Sequence, residues 1–468
     1  MTSEVMSGLC AEDTPLTGRV KGIRPGRPAL PACVAPGRNV PACGAMSALP
    51  AATSGPLHVP ARGLIAVIGA DGSDPAGWAA RHFAPEEVLD LGTFRAWVGG
   101  DAAGGLDALL HVAGARLSRG LLTVLAGPLV RPVDRAPLVA LARAHDLPAS
   151  AVVLDPPRAA LPRTDAVQAQ VTELHRTLGG LEKEGFRRVW VRRGPGLEVS
   201  GVRRVPLAPD RSDLRGPFDF IGDVHGCLPE LQDLLGALGY AVGEDLSVTP
   251  PPGRTAVFVG DLVDRGPDSA GVLHLVMSLV RSGAGLCLLG NHDEKLARAL
   301  EGRSVKPVHG LDVTLAQVHA RGEAFAGQVR AFLGSLPTHL VLDGGRVVVA
   351  HAGLPERYHG RVGGRVRTFA LYGDVNGQKD EYGLPVRGDW AAGYRGGALV
   401  VYGHTPHLDV RALNGTVNLD TGCAFGGKLS ALRYPEGQVV QVPARAAYWV
   451  PAKPMPAVPE EARFVGEG

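Results

Sequence analysis

FDFIGDVHG (Phe218–Gly226), TAVFVGDLVDRG (Thr255–Gly266) and GLCLLGNHDE (Gly285–Glu294) share one layout: an apolar, β-leaning run, a Gly-Asp or Gly-Asn turn, then a stretch with helical character. RVVVAHAG (Arg346–Gly353) and ALVVYGHTP (Ala398–Pro406) begin the same way. Each phrase is expected on a loop at the carboxyl end of a strand, where α/β sheets place their chemistry. Five such loops on one sheet edge would bring Asp223, His225, Asp261, Asn291, His351 and His404 to one place. A single Asp-Gly or His-Gly pair at a strand end is ordinarily a turn. Five in order, each with a side chain able to bind a metal, ask for more than turns.

Oxygen and imidazole donors without thiolate suit Mn, Fe, Zn or Ni. Asp261 has an oxygen on each side and can bridge two ions. Two metals about 3.5–4 Å apart can activate a water and clamp the oxygens of an in-line phosphoryl displacement. Arg265 offers a bidentate fork to a phosphate. His292 can protonate a leaving oxygen if Asp264 orients its other ring nitrogen.

This ordered set resembles the calcineurin-like metallophosphoesterases, in the branch that includes phosphoprotein phosphatases, diadenosine tetraphosphatases and the phosphatase module of bacterial polynucleotide kinase-phosphatase. RTFALYGDVNGQKDEYGLPVRGDW (Arg367–Trp390) and NLDTGCAFGGKLSALRYPEG (Asn418–Gly437) resemble that last module most closely. The resemblance implies an α/β protein with a four-layer αββα sandwich and two divalent ions, Mn first, with Ni, Fe or Zn as alternatives. It implies that Asp223, His225 and Asp261 hold one ion and that Asp261, Asn291, His351 and His404 hold the other. Arg265 would bind phosphate, His292 paired to Asp264 would be the general acid, and Asp420 would support the site near His404. The other reading of Asp420 is a cap on the Asp-Thr-Gly turn. The implied substrates are 2′, 3′ or cyclic phosphates at RNA or DNA ends. The alternatives are a dinucleoside polyphosphate and a serine or threonine phosphoprotein. Arg361, Arg365 and Arg367, in a Gly-rich stretch after His351, either hold nucleic acid beside the site or face solvent.

At 468 residues the chain is too long for one core. The expected division is a Pro- and Gly-rich disordered tail (1–60), a P-loop-like domain (61–205), the phosphoesterase (210–445) and a Pro-rich, poorly ordered end (446–468). Met46 is an alternative start. In LIAVIGADGSDPAGWAARHF (Leu64–Phe83), Asp74, Pro75 and Ala76 stand where the pattern GxxxxGK[ST] places Gly, Lys and Ser or Thr. The segment resembles the kinase module of the same repair family with its phosphate loop, its Asp near Gly92 and its Arg-rich lid changed. A pseudokinase without kinase activity is expected, with no ligase module following. A reading of another class is a scaffold in which this module binds a separate repair kinase or ligase.

A net charge of +2 gives no global attraction to nucleic acid, and 45% hydrophobic with 5% aromatic residues indicates aliphatic cores. No apolar stretch is long and uncharged enough to span a bilayer. Cys10, Cys33, Cys43, Cys227, Cys287 and Cys423 form no CxxC pair, which points to reduced thiols and a cytoplasmic protein. His274 is expected in a helix core, and His309, His319 and His339 are expected to be structural residues of a mostly helical insertion.

Overall fold

The computed structural model describes residues 16–19, 55–197 and 199–464. The expectations for the rest of the N-terminal tail, including Met46 and the thiols Cys10, Cys33 and Cys43, lie outside the described residues. Two compact units divide the chain. One comprises Arg211–His359 and Thr368–Gly468 with the strand Leu16–Arg19; the other comprises 55–210 with Gly360–Arg367.

In the first unit, three strands foreseen from the apolar runs, Phe218–Ile221, Thr255–Phe258 and Gly285–Cys287, pair in parallel. They extend a sheet completed by Lys428–Tyr434, Gln438–Pro443 and Leu16–Arg19. The other two runs, Val347–Ala350 and Leu399–Tyr402, belong to a second sheet with His339–Leu342, Thr416–Asn418 and Arg411–Leu413. The five loops therefore leave two sheets, not one edge. The phrases read as one set because in each sheet the strands concerned run parallel.

Strand alternation explains why these runs are almost wholly apolar. Phe218, Phe220, Val257 and Val259 turn toward Val347, Val349, Val401 and Val417, forming the core between the sheets. Ile221, Ala256 and Phe258 turn the other way, onto the helices Leu228–Ala237 and Ser269–Arg281. Each such buried side chain stabilises the sandwich by about 1.5–3 kcal/mol. Asp219 is the exception inside the first strand. Its fully buried carboxylate accepts from Arg254 Nη2 (2.8 Å) and from the Tyr240 hydroxyl (2.9 Å), so the charge is paired rather than stranded. On the second sheet's outer side, Trp390 packs on Tyr402 and on Phe369.

The C-terminal stretch differs from the expected loose end. Trp449 N donates to Ala424 O (2.9 Å), Leu408 N donates to Pro456 O (3.0 Å), and Val458 and Ala462 are buried. Its prolines restrict the unfolded chain, which lowers the entropy lost when the segment docks.

The second unit is a parallel sheet in the order Val88–Asp90, Thr123–Gly127, Leu64–Gly69, Ala149–Asp155, Val189–Arg193. It starts earlier than expected, since Leu57–Pro60 pairs with Val202–Val205. At the loop after Leu64–Gly69, Asp74 caps the helix Pro75–His82 by accepting from Gly77 N (2.9 Å) and pairs with Arg81. The helix end that a phosphate would need is thus met by the chain's own carboxylate. Asp90 caps the helix Leu91–Trp97.

Candidate metal centre

The loops that leave the two sheets hold their polar residues in uncommon backbone conformations. His225, Asp261, Asp264, Arg265 and His404 all have positive φ, between 46° and 73°. Left-handed backbone is unfavourable for such residues by about 1–3 kcal/mol each and gathers at functional sites. Two glycines make the close approach. A Cβ on Gly290 would fall 2.2 Å from Asp261 Oδ1, and one on Gly403 would fall 1.8 Å from Asp223 Oδ1.

The side chains converge on Asp261. Its Oδ1 accepts from His292 N (2.9 Å), while Oδ2 faces His351 Nε2 at 3.3 Å and His225 Nε2 at 3.6 Å. His225 Nδ1 is held by Val263 O (2.9 Å), which turns Nε2 inward. His351 Nε2 lies 3.0 Å from both Asn291 Oδ1 and His404 Nδ1. Asp223 Oδ2 accepts from His404 N (3.0 Å), but Asp223 Oδ1 and His404 Nε2 are buried with no hydrogen-bond partner among the described residues. Among the described residues, the tightest groupings able to hold an ion at this centre are His225, Asp261 and His292, and Asp261, His351 and His404.

These residues fit divalent cations. Burial pushes the Asp223 carboxyl well above its ordinary range, with Asp420 and Asp261 adding to the effect, and it pushes Asp420 up to about 6. Crowded, desolvated carboxylates facing imidazole nitrogens and orphaned oxygens are relieved by bound positive charge. The donors are oxygen and nitrogen only, a set for borderline ions.

His292 has its own arrangement. Its Nδ1 meets Asp264 Oδ2 at 2.6 Å, and Thr314 Oγ1 donates to Asp264 Oδ1 (2.7 Å). Burial pushes Asp264 up to about 7 and holds the His292 ring neutral. Arg265 spans two rings, donating from Nη1 to His225 Nε2 (2.5 Å) and from Nη2 to His292 Nε2 (2.9 Å), with its guanidinium 5.0 Å from the centre of the Phe425 ring. Asp420 Oδ1 accepts from Gly422 N (3.1 Å), as a turn cap does, and its charge adds to what raises Asp223.

Some sequence expectations need correction. Arg361 donates to the carbonyls of Leu117, His145 and Ser118, and Arg365 to Ala144 O and the Asp146 carboxylate, all within the N-terminal unit. Their guanidiniums are thereby committed to fold contacts, and Arg367 is grouped in the same unit. His309, expected to be merely structural, has its ring 6.0 Å from that of His292. His339 begins a strand rather than lying in a helix. Asp293 and Thr314 received no role from the sequence. Asp293 stands inside the GNHDE phrase and accepts from Gly290 N (2.9 Å) and Leu262 N (3.0 Å), whereas nothing local marks Thr314. Cys227, Cys287 and Cys423 are free, buried thiols. No helix among the described residues is long and apolar enough to cross a membrane.

A family model described as calcineurin-like phosphoesterase matches residues 216–408. A protein of Anoxybacillus flavithermus named bis(5'-nucleosyl)-tetraphosphatase PrpE [asymmetrical] is 46% identical over 235 residues, which cover 49% of this chain and 96% of that protein. A protein of the same name from Geobacillus thermodenitrificans is 45% identical over 250 residues, 53% of this chain and 98% of the relative. One from Oceanobacillus iheyensis is 43% identical over 235 residues, 49% of this chain and 94% of the relative. These names replace the expected likeness to polynucleotide kinase-phosphatase, and the matches lend no support to the kinase reading of 61–205.

Proposed function

Because the chain belongs to the calcineurin-like phosphoesterases, we propose that it hydrolyses dinucleoside polyphosphates, splitting a dinucleoside tetraphosphate into a nucleoside triphosphate and a nucleoside monophosphate. The observation that carries this reading is the identity of 45–46% over 96–98% of the length of relatives that bear that activity in their name. The metal-dependent phosphoester chemistry fits the donor set around Asp261.

In this reading Asp223, His225 and Asp261 hold one divalent ion and Asp261, Asn291, His351 and His404 the other. Bound there, the ions supply an ionised water at neutral pH and neutralise phosphate charge. The chain's own residues do the rest. Arg265, already within hydrogen-bond reach of two site rings, offers its fork to the non-bridging oxygens of the attacked phosphate. As the substrate's phosphates enter and Arg265 turns to them, their negative charge favours a doubly protonated His292 ring, which gives its Nε2 proton to the departing phosphate oxygen and returns to the neutral form that burial favours. Asp264 keeps the other ring proton on Nδ1, and Thr314 keeps Asp264 in place.

The test is product analysis with manganese on three substrates: diadenosine tetraphosphate, an RNA ending in a 2′,3′-cyclic phosphate, and a phosphopeptide. ATP and AMP as products, with the highest kcat/KM on the dinucleotide, are expected. Preference for the RNA end would restore the repair reading, and preference for the peptide would make the chain a protein phosphatase.

A further inference from the structure

His404 forms part of the wall of a cavity of about 340 Å³ that lies wholly within the phosphoesterase unit. Arg387, Trp390, Asp374 and Asn418 also line it, as do Pro456, Ala457 and Pro459 of the C-terminal segment. We propose that this cavity receives one nucleoside of the dinucleoside polyphosphate and that the C-terminal segment is its outer wall. The inference rests on the function proposed above and extends it to how the substrate is held.

Three observations carry it. First, a cavity that shares His404 with the metal centre must take something attached to the phosphate being cleaved. Its size falls at the lower end of small-ligand pockets, about 300–1,000 Å³. Second, its lining pairs the indole of Trp390 with the charged groups of Arg387 and Asp374. Trp390 is set by ring contacts with Tyr402 (5.1 Å) and Tyr394 (6.0 Å), which fix a flat aromatic side chain in the wall. Arg387 lines the same cavity as His404, and its one hydrogen bond among those described goes to Tyr372 O (3.3 Å). Its guanidinium can therefore meet the phosphate next to a nucleoside bound there. Third, the outer wall is anchored. Leu408 N donates to Pro456 O (3.0 Å), and Val458 is buried next to the exposed Ala457.

The lining also sets the selectivity. Asn418 already donates to Thr405 O (2.9 Å) and accepts from Asp420 N (2.9 Å), and Asp389 is paired with Arg411 at 2.6 Å. Asn418 and Asp389 are thereby committed to the fold. The cavity thus relies mainly on shape and on stacking against Trp390 to take a nucleoside.

Filling the cavity from its exposed wall tests this without touching the metal centre. Wild type, Ala457→Trp and the control Ala457→Ser are compared with manganese on diadenosine tetraphosphate and on p-nitrophenyl phosphate, which has no nucleoside. Ala457→Trp is expected to raise KM for the dinucleotide about tenfold, a loss of about 1.4 kcal/mol, and to leave kcat/KM for p-nitrophenyl phosphate and the Ala457→Ser values unchanged. Saturation-transfer NMR with adenosine should show contact with the metal-free wild type and none with Ala457→Trp. An unchanged KM, or an equal loss on both substrates, overturns the subsite while leaving the proposed activity standing. A wild type that does not prefer the dinucleotide overturns that activity and the subsite with it.

Discussion

His292 is defined by what surrounds its two nitrogens. Nδ1 faces the buried Asp264 and Nε2 faces Arg265, so the ring's orientation is fixed, with Nε2 toward the space beside Asp261. A ring so placed matters in proportion to how badly the leaving group needs a proton. His292→Ala is expected to slow hydrolysis of diadenosine tetraphosphate by about 10²–10⁴-fold and to slow p-nitrophenyl phosphate far less, since nitrophenolate leaves without help. Single-turnover rates on the two substrates check this, and equal losses would remove the acid role. At this scale the sequence was readable where residues stand in one phrase and silent where they do not. The GDLVDRG and GNHDE phrases point to Asp264, Arg265 and His292. Thr314, which braces Asp264 from fifty residues away, does so only because the helix Leu311–Ala320 packs there.

Among the elements, the strand His339–Leu342 carries a titratable side chain into the fold. His339 is 1% exposed, and burial pushes its pKa down to about 3, with His359 adding to the shift. The ordinary value is about 6.5. Above that pH the ring is neutral in both states and contributes nothing to pH dependence. As pH falls from 6.5 toward 3, the unfolded chain takes up a proton that the folded chain refuses, so stability drops by about 1.4 kcal/mol per pH unit from this group alone. Urea unfolding at pH 7.5, 6.5 and 5.5 should show a shallower acid decline in His339→Gln than in wild type. Parallel declines would mean that the ring protonates without leaving its place. The strand was hidden in the sequence because His339 follows the helix Glu323–Ser335 after only three residues, and its partner strand Val347–Ala350 lies on the far side of a turn.

For the whole molecule, the phosphoesterase unit gathers Asp223, Asp261, Asp264 and Asp420, all nearly inaccessible to water, around one point. Cations that bind only the folded state stabilise it by about 2.7 kcal/mol at a hundred times Kd. For a unit of this size that is about 5–10 °C in Tm. Calorimetry should therefore show manganese raising the transition of the phosphoesterase unit, EDTA reversing the rise, and Asp261→Asn losing most of it. An Asp261→Asn protein with the full shift would place the ions elsewhere.

The sequence by itself determined the strand-loop phrases, the candidate metal-binding side chains and the presence of a phosphoesterase half. Those features are local: an apolar run sets a strand, the glycines beside it permit the turn, and the ligand stands within a few residues of both. Only the tertiary structure decided that the loops issue from two sheets, that Arg361 and Arg365 serve the N-terminal unit, and that the proline-rich end docks to line a cavity beside His404. Those outcomes depend on which distant surface meets each segment. A guanidinium or a proline-rich segment is compatible with many partners, and packing of the rest of the chain selects one.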